Sequence, residues 1–443
     1  MRIVLRLAVF CFLTSALHAQ TSQAIVDRVF NDPRMKAAEQ FLRNDHDRIV
    51  REIISLTEIP SPPFKEAERA RVYMQMMKDN GLTSVETDAE GNVMGIRKGT
   101  GNGPLIAIAA HLDTVFPDGT NVKVKRNGTR LMAPGIGDDT RGLAVLLGVI
   151  RALDSAKIQT TSDILFVGDV GEEGSGDLRG VRYLFEKGPY KGRIAMFVSL
   201  DGAGSGNDII SDALGSKRYH VTFRGPGGHS YGSFGLVNPA YALAFGINRL
   251  SKTPVPSKPR TTFNVGMIGG GTSVNSIPNE SWMDVDLRSE SPAQLERLAD
   301  TFIRQMRAAA DDENAARSTA QGRIDVEIKL IGERPSGSTP VNSAIVQIAS
   351  AAVQKFGMNP THSMGSTDAN IPISLHIPAI TIDSGGEGGR AHSLDEWIDV
   401  EKSSSVKGID PIDRAASRSL SGILPVLSNG YMHGTSPLAL GQM

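Results

Sequence analysis

The sequence has 443 residues, of which 40% are hydrophobic and 21% are charged, a balance typical of a folded protein large enough for two domains. Its 47 Lys and Arg residues nearly balance its 48 Asp and Glu residues. Because the sequence also contains no basic block, nothing in the charge pattern supports a nucleic-acid or anionic-membrane partner. We therefore expect small or neutral partners.

The N-terminal segment has the pattern of a targeting signal. Two arginines precede an apolar run from Leu7 to Leu17, and the small residue Ala19 follows it. The run is shorter than the roughly 20 residues that span a bilayer, so the pattern predicts a signal peptide over residues 1–19. We expect a secreted or periplasmic protein that has no membrane attachment after cleavage. Because Cys11 is the only cysteine, the mature chain can bind a metal only through His, Asp and Glu.

Helical and strand patterns alternate along most of the chain. Residues 46–80 favour helix with a break at three prolines. Four apolar runs predict buried strands of a mostly parallel sheet, and they lie at 104–110, 162–168, 193–200 and 378–383. Helical periodicity is present at 139–157 and 178–188, between these runs. The alternation predicts an α/β domain.

A second domain is predicted within the first. From residue 214 to 332 the order is strand, helix, strand, strand, helix, strand, which fits an inserted α+β domain. The expected organisation is therefore a signal peptide at 1–19, a main domain formed by 20–213 and 333–443, and an insert at 214–332.

Side chains that can bind a metal follow each of the four apolar runs. The first run is followed by His111 and Asp113, the second by Glu172 and Glu173, the third by Asp201 and the fourth by His392, while Asp138 and Asp139 lie at a glycine-rich turn. Ligands collect at the carboxyl ends of such strands, so these residues are expected to converge. Each has an ordinary explanation by itself, such as a helix cap, a solvated loop or a strand-end histidine. Their joint occurrence at consecutive strand ends favours a metal site.

Hydrolysis at a two-metal centre needs this combination of side chains. One carboxylate must bridge the two ions, and His and carboxylate side chains must complete the ligand set. A further carboxylate must remain free to act as the general base. The tandem Glu172 and Glu173 can supply one ligand and one base. Oxygen and imidazole ligands suit Zn²⁺, Co²⁺ or Mn²⁺.

Five segments of the sequence together resemble one enzyme family. The segments HLDTV, PGIGDDTRG, GEEG, SLDGAG and GRAHSLDEW, in this order, resemble motifs of the M20 family of dizinc exopeptidases and amidohydrolases. The resemblance covers about residues 46–405. It implies a zinc-exopeptidase-like catalytic domain of α/β class with a mostly parallel sheet flanked by helices. It also implies two Zn²⁺ ions and an inserted lid domain through which the chain can form a homodimer.

The resemblance assigns a role to each residue of the predicted site. The metal ligands would be His111, Asp138, Glu173, Asp201 and His392. Asp138 would bridge the two ions, and the peptide bond after it is typically cis in the family. Glu172 would be the general base, and Asp113 would orient His111.

The same resemblance implies roles for residues of the inserted domain. His229, in GPGGHSYG, would stabilise the oxyanion, and Asn275 and Arg288 would bind a carboxylate or the backbone of the substrate. The alternatives are a surface-loop histidine and a surface charge. The chain departs from the family at Thr140 and Arg141, where relatives have Lys and Gly.

These features predict a secreted or periplasmic zinc aminopeptidase that acts on short peptides. The DGAG context of Asp201 favours the peptidase T-like branch of tripeptidases and dipeptidases. One alternative is a carboxypeptidase or N-acyl amino-acid deacylase, in which Arg288 and Asn275 would bind a terminal carboxylate. Another is a peptide-binding protein without activity. Glu172 argues against this second alternative, because a binding protein needs no base beside its metal.

Overall fold

The computed structural model describes residues 22–101 and 103–400. The predicted signal peptide at 1–19 and the end of the predicted main domain, from residue 401, lie outside the described residues. Within the described part of the chain, no helix combines the length and the apolar character needed to cross a membrane.

The chain divides into two compact units. Over the described residues, the first comprises 22–211 and 339–400, and the second is Asp212–Ser338. The sequence placed the end of the insert at residue 332. The predicted insert at 214–332 lies within the residue range of the second unit, whose last long strand is Asp325–Arg334.

The helices and strands are numbered in chain order over the described residues. The helices are α1 (22–31), α2 (Pro33–Thr57), α3 (Ala67–Asp79), α4 (Thr140–Ser155), α5 (Arg179–Glu186), α6 (Pro239–Ser251), α7 (Pro292–Ala316), α8 (Ala344–Lys355) and α9 (Asn370–Ser374), with a 3₁₀ turn at Gly174–Gly176. The strands are β1 (Thr83–Thr87), β2 (Val93–Arg97), β3 (Leu105–His111), β4 (Lys125–Asn127), β5 (Arg130–Met132), β6 (Ile164–Asp169), β7 (Ile194–Leu200), β8 (Asp208–Ala213), β9 (Gly215–Arg224), β10 (Gly228–His229), β11 (Thr261–Gly270), β12 (Ser276–Ile277), β13 (Glu280–Ser289), β14 (Asp325–Arg334), β15 (Gly337–Ser338), β16 (Thr361–Gly365), β17 (Ala379–Ile382), β18 (Glu387–Gly389) and β19 (Trp397–Asp399).

A large mixed sheet forms the centre of the first unit. Its order is β1-β2-β6-β3-β7-β17-β8-β15, with β16 paired to β8. The central strands β6, β3, β7 and β17 are parallel, and they are the four apolar runs of the sequence. Such strands are apolar throughout because both of their faces are buried. The predicted α/β class is confirmed. The parallel arrangement holds for these central strands, whereas the pairs β1–β2, β2–β6, β17–β8 and β15–β8 are antiparallel.

The helix α4 has the most buried environment in the first unit. Every residue from Thr140 to Leu153 is buried, because α4 packs against both α2 and β3. The helix predicted over 46–80 forms as α2 and α3, which are separated by the proline-containing segment. The N-terminus of α4 lies beside the turn that carries Asp138 and Asp139, so a rigid buried helix supports this turn.

The second unit has the predicted order of elements. Its four-stranded antiparallel sheet has the order β11-β13-β9-β14, and α6 and α7 pack against it. Phe223, Phe302 and Met306 are buried in its core. A short separate pair of strands, β10 and β12, places His229 opposite Ser276.

Candidate metal centre

The carboxyl ends of the parallel strands bring the predicted ligands together. His111 is the last residue of β3, Asp201 directly follows β7, and Glu173 lies four residues beyond β6. His392 lies farther along the chain from β17, in the loop between β18 and β19. Parallel neighbouring strands end at the same edge of the sheet, so side chains that are distant in sequence share one site.

Three groups of side chains in the described residues have ligand atoms within 4.8 Å of one another. One group is His111, Asp138 and Asp201, and a second is Asp138, Glu173 and His392. The two groups share Asp138. The third group is His111, Glu172 and Glu173, which places the predicted base beside ligands of both of the other groups.

The Asp138 carboxylate lies between the two histidines. Its Oδ1 is 2.8 Å from Nε2 of His111, and its Oδ2 is 3.1 Å from Nε2 of His392. Nε2 of His392 is also 2.8 Å from Oε1 of Glu173. One oxygen of Asp138 therefore faces each ligand group, as a carboxylate that bridges two cations requires.

The electrostatics of the cluster suit a divalent cation. Burial would raise the pKa of Asp138, but hydrogen bonds from His111 and His392 outweigh it and hold this pKa well below the usual range. Hydrogen bonds to Asp138 and Glu173 raise the pKa of His392 to about 11. The carboxylates thus create a strong negative potential, which either protons on the imidazoles or metal ions can balance.

The orientation of His111 also fits a metal ligand. Its Nδ1 lies 3.0 Å from the backbone oxygen of Asp113 and 3.6 Å from Oδ1 of the same residue. A proton on Nδ1 directed at this carbonyl leaves Nε2 as the nitrogen that can bind a metal. The donor set of imidazole nitrogen and carboxylate oxygen fits Zn²⁺, Co²⁺ or Mn²⁺.

The Asp113 carboxylate holds the loop that carries the two glutamates. Oδ1 accepts a hydrogen bond from the backbone N–H of Glu172 at 3.0 Å, and Oδ2 accepts one from Glu173 at 2.9 Å. Asp113 is fully buried. Burial would raise its pKa, but the neighbouring His111 imidazole and the hydrogen bonds from these N–H groups lower it below the ordinary value. Asp113 remains ionised and fixes the backbone of Glu172 and Glu173.

The two neighbouring aspartates of the turn have different positions. The peptide bond between Asp138 and Asp139 is cis. Asp139 is the N-cap of α4, since its Oδ1 accepts from the N–H of Gly142 at 3.2 Å, and its Oδ2 accepts from the N–H of His111 at 3.2 Å. The capping explanation thus applies to Asp139, whereas Asp138 belongs to the ligand groups.

Residues 107–417 match peptidase family M20/M25/M40. The chain belongs to this family. It is 28% identical over 376 residues to the uncharacterized protein YqjE of Bacillus subtilis, a match that spans 80% of this chain and 94% of YqjE. As a member of the M20 family, the chain is a hydrolase.

Two solved structures show the same fold. Aminopeptidase PepT from Bacillus cereus matches with a TM-score of 0.67 and 24% identity, over 86% of this chain and 98% of PepT. YXEP from Bacillus subtilis, a dinuclear metal binding peptidase from the M20 family, matches with a TM-score of 0.63 and 18% identity, over 87% of this chain and 99% of YXEP. At such identities the likeness concerns the fold.

Glu396 is a site residue that the sequence reasoning did not identify. Its Oε1 accepts from the N–H groups of Gly137 and Asp138 at 2.7 and 3.0 Å, and its Oε2 accepts from Gly135 at 3.0 Å. Burial raises its pKa to about 7, despite these hydrogen bonds. Glu396 holds the turn that presents Asp138. Its place in the segment GRAHSLDEW, four residues after His392, was the available signal.

A second overlooked residue is the buried Arg69 of α3. Its guanidinium donates to the backbone oxygens of Leu112 and Ile59, both at 2.7 Å. Burial lowers its pKa to about 10. Arg69 holds the backbone between His111 and Asp113. No sequence pattern marks it, because an arginine on a helix is usually exposed.

The two departures from the usual M20 motif are both buried. Thr140 Oγ1 donates to the backbone oxygen of Gly135 at 2.8 Å, and it therefore ties the start of α4 to the turn. The Arg141 guanidinium lies against Gly386, where an added Cβ would be 2.0 Å from Nη2. Arg141 is therefore buried beside Gly386, six residues before His392, and contributes no exposed charge.

The three predicted substrate residues all lie in the second unit. The backbone N–H of Ser230, next to His229, donates to the backbone oxygen of Asn275 at 2.9 Å. His229 and Asn275 therefore lie on adjacent segments. Arg288 lies on β13, in the separate four-stranded sheet. Its Nε donates to Asp286 at 2.6 Å.

Proposed function

We propose that the chain is a zinc-dependent exopeptidase that removes the N-terminal residue from short peptides at a two-metal site. The observation that carries this proposal is the position of Asp138, which faces one histidine with each carboxylate oxygen while Glu172 lies beside the ligands. The choice of an aminopeptidase over the alternatives rests on the pairing of Arg288 with Asp286, described below.

The two ligand groups define which residues would hold each ion. His111 and Asp201 would hold one ion, Glu173 and His392 would hold the other, and Asp138 would bind both. When bound, the ions would lower the pKa of the attacking water and polarise the scissile carbonyl. This set leaves Glu172 free of a ligand role.

Glu172 is the proposed general base. Its side chain is buried, and Asp113 holds its backbone N–H, so the carboxylate is positioned before the substrate binds. Glu172 takes a proton from the attacking water as the water oxygen forms its bond to the scissile carbon. The carboxyl group then donates this proton to the amine as the C–N bond breaks.

His229 is proposed to donate a hydrogen bond to the oxyanion. Its Nδ1 accepts from the backbone N–H groups of Tyr231 and Gly232, both at 3.2 Å. These bonds favour the tautomer with the proton on Nε2, which can then serve as a donor. The expected result for His229→Ala is a lower kcat with little change in metal content.

The carboxypeptidase or deacylase alternative depends on a side chain that binds a terminal carboxylate. Arg288 is the predicted candidate, but its guanidinium forms an ion pair with Asp286, which offsets the charge available to a substrate. This pairing favours the aminopeptidase assignment.

The test uses one tripeptide in three forms, free, N-acetylated and C-amidated, with the zinc-reconstituted protein and mass spectrometry of the products. We expect cleavage of the free and amidated forms, with the acetylated form resistant. Resistance of the amidated form alone, or removal of the acetyl group, would identify a carboxypeptidase or a deacylase. Tight binding of all forms without cleavage would identify a peptide-binding protein.

We further propose that the mature protein is secreted or periplasmic and forms a homodimer through the segment Asp212–Ser338. The N-terminal sequence pattern supports the first point. The exposed side chains of Met267 and Ile268 on the edge strand β11 support the second. N-terminal sequencing of the exported protein tests the cleavage site, and light scattering of Met267→Lys tests the dimer.

A further inference from the structure

Phe64 occupies a turn position that normally favours glycine. The turn Pro62–Lys65 is closed by a hydrogen bond of 2.9 Å from the N–H of Lys65 to the oxygen of Pro62. Phe64 is its third residue and has a φ of 69°, as in a type II turn. A bulky residue is rare and costly at positive φ. The sequence therefore places an aromatic ring where the backbone alone would favour a residue without a side chain.

Neighbouring side chains hold Phe64 in this conformation. Its N–H donates to Oε1 of the buried Glu66 at 2.9 Å, and the same oxygen accepts from Arg179 at 2.6 Å. The guanidinium of Arg179 lies 5.0 Å from the centroid of the Phe64 ring. The ring is thus supported on one side, yet Phe64 remains 64% exposed.

The Phe64 turn is attached to both segments that carry the predicted catalytic residues. The oxygen of Ser61 accepts from the N–H of Thr114 at 2.9 Å, directly after Asp113. Arg179 packs against Gly171, where an added Cβ would lie 2.6 Å from the arginine side chain, and Gly171 directly precedes Glu172. These contacts place the Phe64 turn beside the two segments that carry Asp113 and Glu172.

We propose that Phe64 is a specificity-determining residue whose exposed ring packs against an apolar side chain that flanks the scissile bond of the peptide. This inference rests on the proposed function. Arg179, on the supported side, is already paired with Glu66 and Glu90, so the exposed side of the ring offers an apolar surface. A ring that is already held in place binds a side chain without a further ordering cost.

The test compares kcat/KM for Leu-Gly-Gly and Gly-Leu-Gly with that for Gly-Gly-Gly, in the wild type and in Phe64→Gly. Glycine suits the positive φ, so the variant should unfold at the same temperature as the wild type or a higher one. For at least one leucine peptide, we expect the preference over Gly-Gly-Gly to fall about tenfold, mainly through KM. Phe64→Leu should retain most of the preference.

Lys157→Gly is the matched control. Lys157 also has a positive φ, of 53°, but it follows the C-terminus of α4, whose N-terminus lies at the candidate site. The substitution likewise places glycine at a position of positive φ, but it removes no side chain near the site. Its peptide preference should equal that of the wild type.

Two results would overturn the inference while leaving the proposed function intact. One is an active wild type whose preference for both leucine peptides is unchanged in Phe64→Gly. The other is an equal loss of preference in Lys157→Gly, which would assign the effect to the backbone. A wild type that cleaves none of the peptides in free, acetylated or amidated form would overturn the proposed function and this inference with it.

Discussion

Replacement of Asp113 by Asn tests whether one buried carboxylate holds the loop that carries the predicted base. Each Asp113 oxygen accepts one backbone N–H, from Glu172 at 3.0 Å and from Glu173 at 2.9 Å. Asn has one oxygen, so one of these buried N–H groups loses its acceptor. A hydrogen bond to a charged acceptor contributes about 1.5–3 kcal/mol to stability. Because the buried N–H group would keep no partner in the variant, the loss of stability lies near the upper value. We expect the free energy of unfolding to fall by about 3 kcal/mol.

The effect on activity follows from the same geometry. If the backbone of Glu172 moves by about 1 Å, the misplaced base lowers kcat by about 100-fold. Denaturant unfolding of the metal-free protein measures the stability, and steady-state kinetics of the reconstituted protein measures kcat. A loss below about 1 kcal/mol together with wild-type kcat would refute the role assigned to Asp113.

Asp88→Asn is a suitable control for this experiment. Asp88 also accepts backbone hydrogen bonds, from Glu90, Gly91 and Asn92, but all three reach the same oxygen, Oδ1. Asn can therefore keep all three bonds and lose only the contact of Oδ2 with the Asn92 side chain. We expect a loss of about 1 kcal/mol and an unchanged kcat.

Three further predictions concern the metal centre. Glu172→Ala should retain metal and lose nearly all turnover, whereas Asp138→Ala should lose both metal and turnover because both ligand groups share this carboxylate. Metal analysis and steady-state kinetics measure both variants. Normal turnover in Glu172→Ala would contradict the assignment of the base. Glu396→Gln removes the acceptor for the N–H of Gly135 and loosens the turn, so metal affinity should fall about tenfold or more in a chelator competition. The raised pKa of His392, about 11, means that metal binding near neutral pH must displace a proton, so the apparent affinity should decrease as the pH falls. Calorimetry in two buffers of different ionisation enthalpy measures this proton release, and equal heats in both buffers would contradict it.

The central fold could be predicted because burial leaves a direct mark on the sequence. Strands β3, β6, β7 and β17 are buried on both faces, and each appears as a run of mainly apolar residues. The outer strands carry no such mark. β1 is exposed at four of its five positions, and its pairing with β2 contributes little apolar area. The antiparallel edges of the sheet were therefore not predicted, although its parallel centre was.

The sequence by itself determined which side chains are available for a metal and at which strand ends they lie, because strand order and residue type are local properties. The family resemblance assigned the bridging role to Asp138, but only the tertiary structure gives the physical reason. The start of α4 takes Asp139 as its cap and leaves Asp138 between the two histidines. Glu396 acquires its role from a hydrogen bond with the distant Gly137, and Phe64 acquires its role from the contact of its ring with Arg179. Such contacts form only when the folded backbone brings these groups together, and no local pattern of residues records them.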